Sequence, residues 1–185
     1  MTGAASTVDG AVGWATVVAR AVDGDEAAFS AIVRAHHADM ARVAFVVSCD
    51  VEVAEDAVQA AWSVAWRKLR TLRDPERLRP WLVAVAANEA RQLLRRTNRH
   101  RIAEIELDTL PAGTDDDDPE ASIDRLDLVA ALRHLRPEDR VLLALRYTAG
   151  LDSTEIGPVV GKSASGVRGE LSRLNARLRR ELRDA

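Results

Sequence analysis

Residues 151–182 read LDSTEIGPVVGKSASGVRGELSRLNARLRREL, and their order decides the fold of the C-terminal half. Asp152-Ser153-Thr154-Glu155 has the form of a capping box. An acceptor side chain is followed three residues later by Glu, so each can satisfy a backbone N–H at the start of a helix. A short helix to about Val160 follows. Gly161-Lys162-Ser163 then makes a tight turn, and Ser163 can cap a last helix. That helix carries Val167, Leu171, Leu174, Leu178 and Leu182, spaced by three or four as one apolar stripe. Short helix, glycine turn and long basic helix is the layout of a helix-turn-helix. Residues just past Ser163 would enter a major groove: Ser165, Arg168, Gly169, Glu170 and Arg173. An Arg can bridge guanine bidentately, and a Glu can accept from cytosine. Arg177, Arg179, Arg180 and Arg183 suit phosphate or solvent.

Working outward, the pattern stays helical. Asp118-Pro119-Glu120 is a cap followed by Pro at the first helical position, ahead of Ile123, Leu126, Val129, Ala130 and Leu132 or Leu135. Pro137 starts another helix with Val141, Leu142 and Leu145 inward, stopped at Gly150. In the N-terminal half a short helix spans roughly 12–22. Phe29, Ile32, Val33, His36, Met40, Val43 and Val47 predict a helix over about 26–48, capped from Asp23-Gly24-Asp25. Ala54, Ala57, Val58, Ala61, Trp62, Ala65, Trp66 and Leu69 predict one over 51–70, with Asp50 as its cap. A third main helix covers about 80–97. Its apolar side is Leu82, Val85, Ala86 and Leu93, and its polar side is Asn88, Arg91, Gln92 and Arg95.

Between the halves, Thr97–Asp118 loses this periodicity. Leu110-Pro111-Ala112-Gly113-Thr114 before four aspartates reads as a flexible linker. The expected fold class is therefore all-α. Two small helical domains, 1–97 and 119–185, are joined by an acidic linker over 98–118, and the C-terminal one is a helix-turn-helix.

The net charge of −3 over 185 residues hides a segregation. Residues 1–63 carry −6, residues 64–103 carry +8, residues 104–127 carry −9 and residues 162–183 carry +5. Two basic blocks separated by an acidic one fit an electrostatic footprint for phosphates. Solvated helix faces explain the same charges. Arg91, Arg95, Arg96, Arg99 and Arg101 cluster near one helix end, where cations also suit the helix dipole. As a phosphate track they would position a nucleic-acid backbone while Asn88 or Gln92 touched bases.

Catalytic patterns are weak. His36 and His37 are adjacent and diverge on a helix, and His100 and His134 are isolated. No metal spacing or phosphate-cradling loop is present, so neither a metal nor a cofactor is expected, and no catalytic residue is assigned. Asp115–Asp118 lacks the glycine turn and terminal Glu of a calcium loop. The single cysteine, Cys49, excludes an intramolecular disulfide and reads as a small buried hydrophobe. No stretch reaches the ~18 consecutive apolar residues of a membrane span. The first basic residue is Arg20, unlike the basic start of a signal peptide. The expectation is a cytoplasmic chain that does not insert into membranes. Trp62 and Trp66 lie at i and i+4 on one face, with Asp56 and Gln59 beside them. Core anchoring is the simpler reading of each Trp.

Together the halves resemble the extracytoplasmic-function (ECF) RNA polymerase sigma factors. The resemblance runs over about residues 14–183. It rests on Asp23-Gly24-Asp25-Glu26-Ala27-Ala28-Phe29, Ala54-Glu55-Asp56-Ala57-Val58-Gln59, Trp81-Leu82 and Ala86-Ala87-Asn88. The second half adds Leu135-Arg136-Pro137-Glu138-Asp139-Arg140, Thr154-Glu155-Ile156 and Ser163 through Leu178. The resemblance implies a non-enzymatic alternative sigma factor that binds core RNA polymerase and directs promoter recognition and opening. It would place Asp56, Gln59, Trp62 and Trp66 at or near the polymerase clamp. The loop around Arg70–Pro80, with Arg79, and the face bearing Asn88, Arg91, Gln92, Arg95 and Arg96 would hold the minus-ten element. Ser163, Ser165, Arg168, Gly169, Glu170 and Arg173 would read the minus-thirty-five element. Promoter DNA and an anti-sigma factor are the further partners it implies. The chain departs from the family at Ala60, where Glu is usual, and at Gln92, where Asp is usual. It departs again at Gly157-Pro158, at Gly166 for Thr and at Glu170 for Arg. Two other readings of the residues stand beside this one. One is a helix-turn-helix regulator without polymerase contact, and the other a degenerate sigma-like chain that titrates a partner.

Overall fold

The computed structural model describes residues 13–100 and 127–182, all in helices and short connections. The elements are α1 (Trp14–Val22), α2 (Glu26–Ser48), α3 (Val51–Lys68), α4 (Leu78–His100), a helix α5 seen over 127–133, α6 (Pro137–Leu143), α7 (Ser153–Val160) and α8 (Ala164–Glu181). The expected linker, apart from its first residues in α4, lies outside the described residues. Among those described, no helix is long and apolar enough to cross a membrane.

Local chemistry sets most boundaries. Gly24 takes φ 91°, turning the chain out of α1. The Asp25 carboxylate then accepts from the amides of Ala27 and Ala28, at 2.9 and 3.1 Å, opening α2. Those bonds, with the Arg20 guanidinium, hold its pKa below the usual carboxylate value. α2 ends on Cys49 at φ 56°, the left-handed conformation that usually falls to glycine. Asp50 accepts from Val53 to start α3. α4 begins earlier than the spacing predicts, at Leu78, because Pro80 sits in a first turn whose amides have no helical partner to lose.

α2, α3 and α4 pack as a three-helix unit. Ile32, Met40, Val43 and Val47 meet Ala57, Ala61 and Ala65 of α3, and Leu82, Ala86 and Ala90 of α4, all buried. The alanine side of α3 lets large side chains from its neighbours fill the space, in a core almost without aromatics. α1 lies across α2, with the Trp14 ring 4.9 Å from that of His36.

In the second half α6 runs straight into a π-helical turn, Ala144–Thr148. Leu142, Leu145 and Ile156 are buried with Val167, Leu171 and Leu174 of α8. The capping box forms as expected: Asp152 accepts from Thr154 and Glu155, and Glu155 accepts from the Asp152 amide. Ser163 caps α8 through the Gly166 amide at 3.1 Å. Pro158 does not break α7, which runs to Val160. Gly157 is held to glycine by the turn, because a Cβ there would lie 2.6 Å from the Lys162 carbonyl oxygen. The halves touch through α6 and the π turn, which rest on α2 and α4, and their apolar residues form one continuous core.

Candidate nucleic-acid interface

The last helix turns to solvent the face on which the sequence places the expected base-contacting residues. Ser165, Arg168, Gly169 and Arg173 are exposed, on the side away from Val167, Leu171 and Leu174. Ser163 is occupied as the cap, and its hydroxyl lies 3.1 Å from that of Ser165. Glu170 is turned aside: both its carboxylate oxygens accept from Lys162 Nζ at 2.5 Å, so it faces the turn rather than the open face. The structure also brings in Arg146, Tyr147 and Asn175, which the sequence reading left out, and joins them to Arg179. Arg146, Tyr147, Asn175 and Arg179 line an open polar groove with Arg168. Tyr147 is 61% exposed, and its hydroxyl accepts from Asn175 at 2.6 Å. That it is the single tyrosine of the chain was the available signal, but the π turn that presents it has no sequence signature.

On α4, Asn88, Arg91, Gln92 and Arg95 share one side. Arg91 donates to Asn88 Oδ1 at 3.2 Å, Gln92 to Glu89 at 3.3 Å and Arg95 to Glu138 at 3.2 Å. Arg96 is exposed one residue beyond. Arg79 stands apart. Nine residues earlier, it is roughly 13 Å along the axis from Asn88 and on the opposite side at 3.6 residues per turn. It binds Asp39 at 2.6 Å and the Ala149 carbonyl at 2.7 Å. Burial pushes the Asp39 carboxyl up, but hydrogen bonds from Arg79 and Arg42 outweigh it, and its pKa is lowered.

A third surface lies on α3. Asp56 and Gln59 are exposed on the same helix, Gln59 about one turn and Asp56 nearly two turns before Trp62. Phe29 of α2 meets both indoles edge to face, at 5.9 Å from Trp62 and 4.7 Å from Trp66. Trp62 is half-buried and donates to His37 Nδ1 at 3.2 Å. Trp66 remains 47% exposed, so it is not a core anchor. A large aromatic held rigid by its neighbours and open to water is the kind of group that protein interfaces use.

A second half that ends in a helix-turn-helix layout, with a basic helix open to solvent, fits the class of nucleic-acid-binding regulators. The Sigma-70 region 2 family model matches residues 32–100. The ECF sigma factor SigM of Mycobacterium tuberculosis is 30% identical over 91% of this chain and 84% of its own length. The probable RNA polymerase sigma factor RfaY of Xanthomonas campestris is 31% identical over 88% of this chain, which spans only 42% of that protein. The fold matches the sigma factor RpoE, co-crystallised with the anti-sigma factor NepR from Bartonella quintana. The TM-score is 0.71 at 21% identity, covering 84% of this chain and 96% of that one. The chain belongs to the ECF family of RNA polymerase sigma factors and is an alternative sigma factor of transcription initiation.

Proposed function

We propose that the three surfaces divide the work of initiation. Asp56, Gln59, Trp62 and Trp66 dock on core RNA polymerase. Asn88, Arg91, Gln92, Arg95 and Arg96 of α4 engage the minus-ten element, while Arg79, on the opposite side and tied to Asp39 and the Ala149 carbonyl, anchors the start of that helix. The face of α8 bearing Ser165, Arg168, Gly169 and Arg173 reads the minus-thirty-five element, with the Ser163 cap setting its angle. The observation that carries the reading is Trp66: an exposed indole braced by Phe29, beside two polar groups, on a chain whose DNA-facing surfaces lie elsewhere.

The chemistry suits each role. An extruded base needs a fitted pocket, because unstacking costs a few kcal/mol. The amides of Asn88 and Gln92, flanked by guanidiniums, supply hydrogen bonds to a base edge and charge for its phosphates. On α8, Arg168 reaches the duplex as the free bidentate donor. Glu170, tied to Lys162, acts on the turn instead of on a cytosine. The chain performs no reaction of its own and needs no cofactor or metal, and its domains divide at the acidic stretch 98–118. By likeness to the co-crystallised relative, an anti-sigma protein is a further partner.

Run-off transcription with purified core polymerase on genomic fragments tests the reading. The expected result is transcripts from a restricted promoter set that require the chain. Absence of both core binding and transcripts would overturn it. Operator binding by a symmetric dimer without polymerase would favour the plain helix-turn-helix regulator.

A further inference from the structure

Two adjacent histidines on α2 point different ways. His36 is buried, whereas His37 is exposed and reaches α3, where its Nδ1 accepts the indole N–H of Trp62 at 3.2 Å. A ring nitrogen that accepts carries no proton, so the His37 ring in this contact is neutral, with its proton on Nε2. An imidazolium has an N–H on both nitrogens and accepts from neither. The contact therefore exists in one protonation state only.

This bond holds one end of a series of rings. Trp62 meets Phe29 edge to face with ring centres 5.9 Å apart, and Phe29 meets Trp66 in the same way at 4.7 Å. Such pairs depend on the angle between the rings. The Trp62 indole can turn about its side-chain bonds, and the bond to His37 fixes its polar edge. Once released, it loses its angle to Phe29, and Phe29 loses one of the two rings that brace it. Trp66 is then presented on a looser support. A loose anchor has to be ordered when its partner binds, which subtracts from affinity.

On the faces of α2 and α3 that meet here, helical spacing places Arg34 about one turn before His37 and Glu55 about two turns before Trp62. α1 and α4 meet α2 elsewhere, through Trp14 at His36 and Arg79 at Asp39.

We propose that His37 is a positioning residue of the polymerase-docking surface: its neutral imidazole holds Phe29 and the two indoles in the shape that core polymerase meets. The inference rests on the docking role given to Trp66 above. It makes docking proton-linked, because a proton on His37 and polymerase on α3 each weaken the binding of the other.

The test compares the full chain with His37→Asn and His37→Phe between pH 7.5 and 5.5. Asn puts an amide oxygen where Nδ1 stands and does not ionise, while Phe keeps a ring and removes the acceptor. The indole N–H resonance of Trp62 in isotope-labelled free protein reads the contact, and surface plasmon resonance on immobilised core polymerase reads docking. In wild type the resonance should move on acidification and core affinity should fall about fivefold, the scale of one hydrogen bond. His37→Asn should bind within about twofold of wild type at the higher pH and lose the slope, and His37→Phe should be about fivefold weaker there. Titration of the polymerase itself enters all three chains alike, so a difference in slope belongs to His37. An unmoved Trp62 resonance, equal slopes for wild type and His37→Asn, or full affinity in His37→Phe at the higher pH would each overturn the proposal. Trp66→Ala on the same surface separates the two readings. If it costs affinity while the His37 variants do not, the role of His37 fails alone. If it costs none, the docking reading fails and the role of His37 falls with it.

Discussion

Three glycines within the helix-turn-helix make one substitution give opposite results. At Gly157 a Cβ would stand 2.6 Å from the Lys162 carbonyl oxygen, a backbone atom inside the turn that cannot rotate away. Relief requires the turn to shift against α7. Forcing an extra carbon into a packed site costs about 1–3 kcal/mol. Alanine returns at most about 1 kcal/mol of helix propensity. Gly157→Ala should therefore destabilise by roughly 1–2 kcal/mol, lowering Tm by about 2–8 °C in a chain of this size. At Gly166 the new Cβ meets only the Ser163 hydroxyl at 3.3 Å, a side chain that can yield, and at Gly169 it meets nothing within 4 Å. Gly169→Ala should stabilise by about 0.5–1 kcal/mol, and Gly166→Ala should fall between. Urea melts of the three variants, compared at constant m-value, measure this ordering. The turn also sets the angle at which α8 leaves α7, so Gly157→Ala should weaken duplex binding beyond its effect on stability. A Gly157→Ala protein as stable as wild type would refute the close-approach argument.

Other consequences are open to direct measurement. His36 is buried against Trp14 with neither ring nitrogen bonded. Burial holds its pKa below 6.5, Asp39 pulls it up and Arg79 pushes it down. The unfolded chain therefore binds more protons, and the stability His36 contributes is present above pH 6.5 and lost below it. Tm should fall on going from pH 7.5 to 5.5, and His36→Phe should flatten that dependence; an unchanged slope would contradict it. Asp39, with its lowered pKa, keeps its contribution until the pH drops below 3.8. Trp66→Ala should leave Tm nearly unchanged while weakening core polymerase binding by about 2 kcal/mol, as for a buried interface anchor. Surface plasmon resonance with immobilised core reads that split, and equal affinity would remove Trp66 from the interface. Arg168→Ala should weaken specific duplex binding by about 1–3 kcal/mol and relax one base position, whereas equal loss on every sequence would make it a phosphate contact.

Much of the fold was legible because its boundaries are local. Asp25, Asp50, Asp152 and Ser163 each cap within three residues of themselves, and the sequence shows that spacing directly. The apolar stripes gave the inward faces of α2, α3 and α8. What periodicity cannot give is which part of a stripe its neighbours cover. Trp62 and Trp66 sit on one stripe, yet α2 shelters the first and leaves half of the second in water. Long-range closures were equally hidden. Nothing near Arg79 in sequence points to Asp39 or Ala149, and nothing near Cys49 points to Arg133 and Arg140, which reach its carbonyl and its sulfur. Glu170 looked like a base reader from its register alone, until the turn placed Lys162 against it. Gly157 looked like a helix weakness, because the carbonyl that requires it belongs to the following turn.

The placement of the indoles has a practical side. Trp14 packs at a tilt against a histidine ring, Trp62 is hydrogen-bonded to another, and Trp66 faces solvent. Protonation of an imidazole quenches a neighbouring indole, and transfer of an indole from water into a dry contact shifts its emission to the blue. The chain is thus fitted with its own optical probes, one for the packing of α1 and one for the arrival of a partner on α3, with no dye attached.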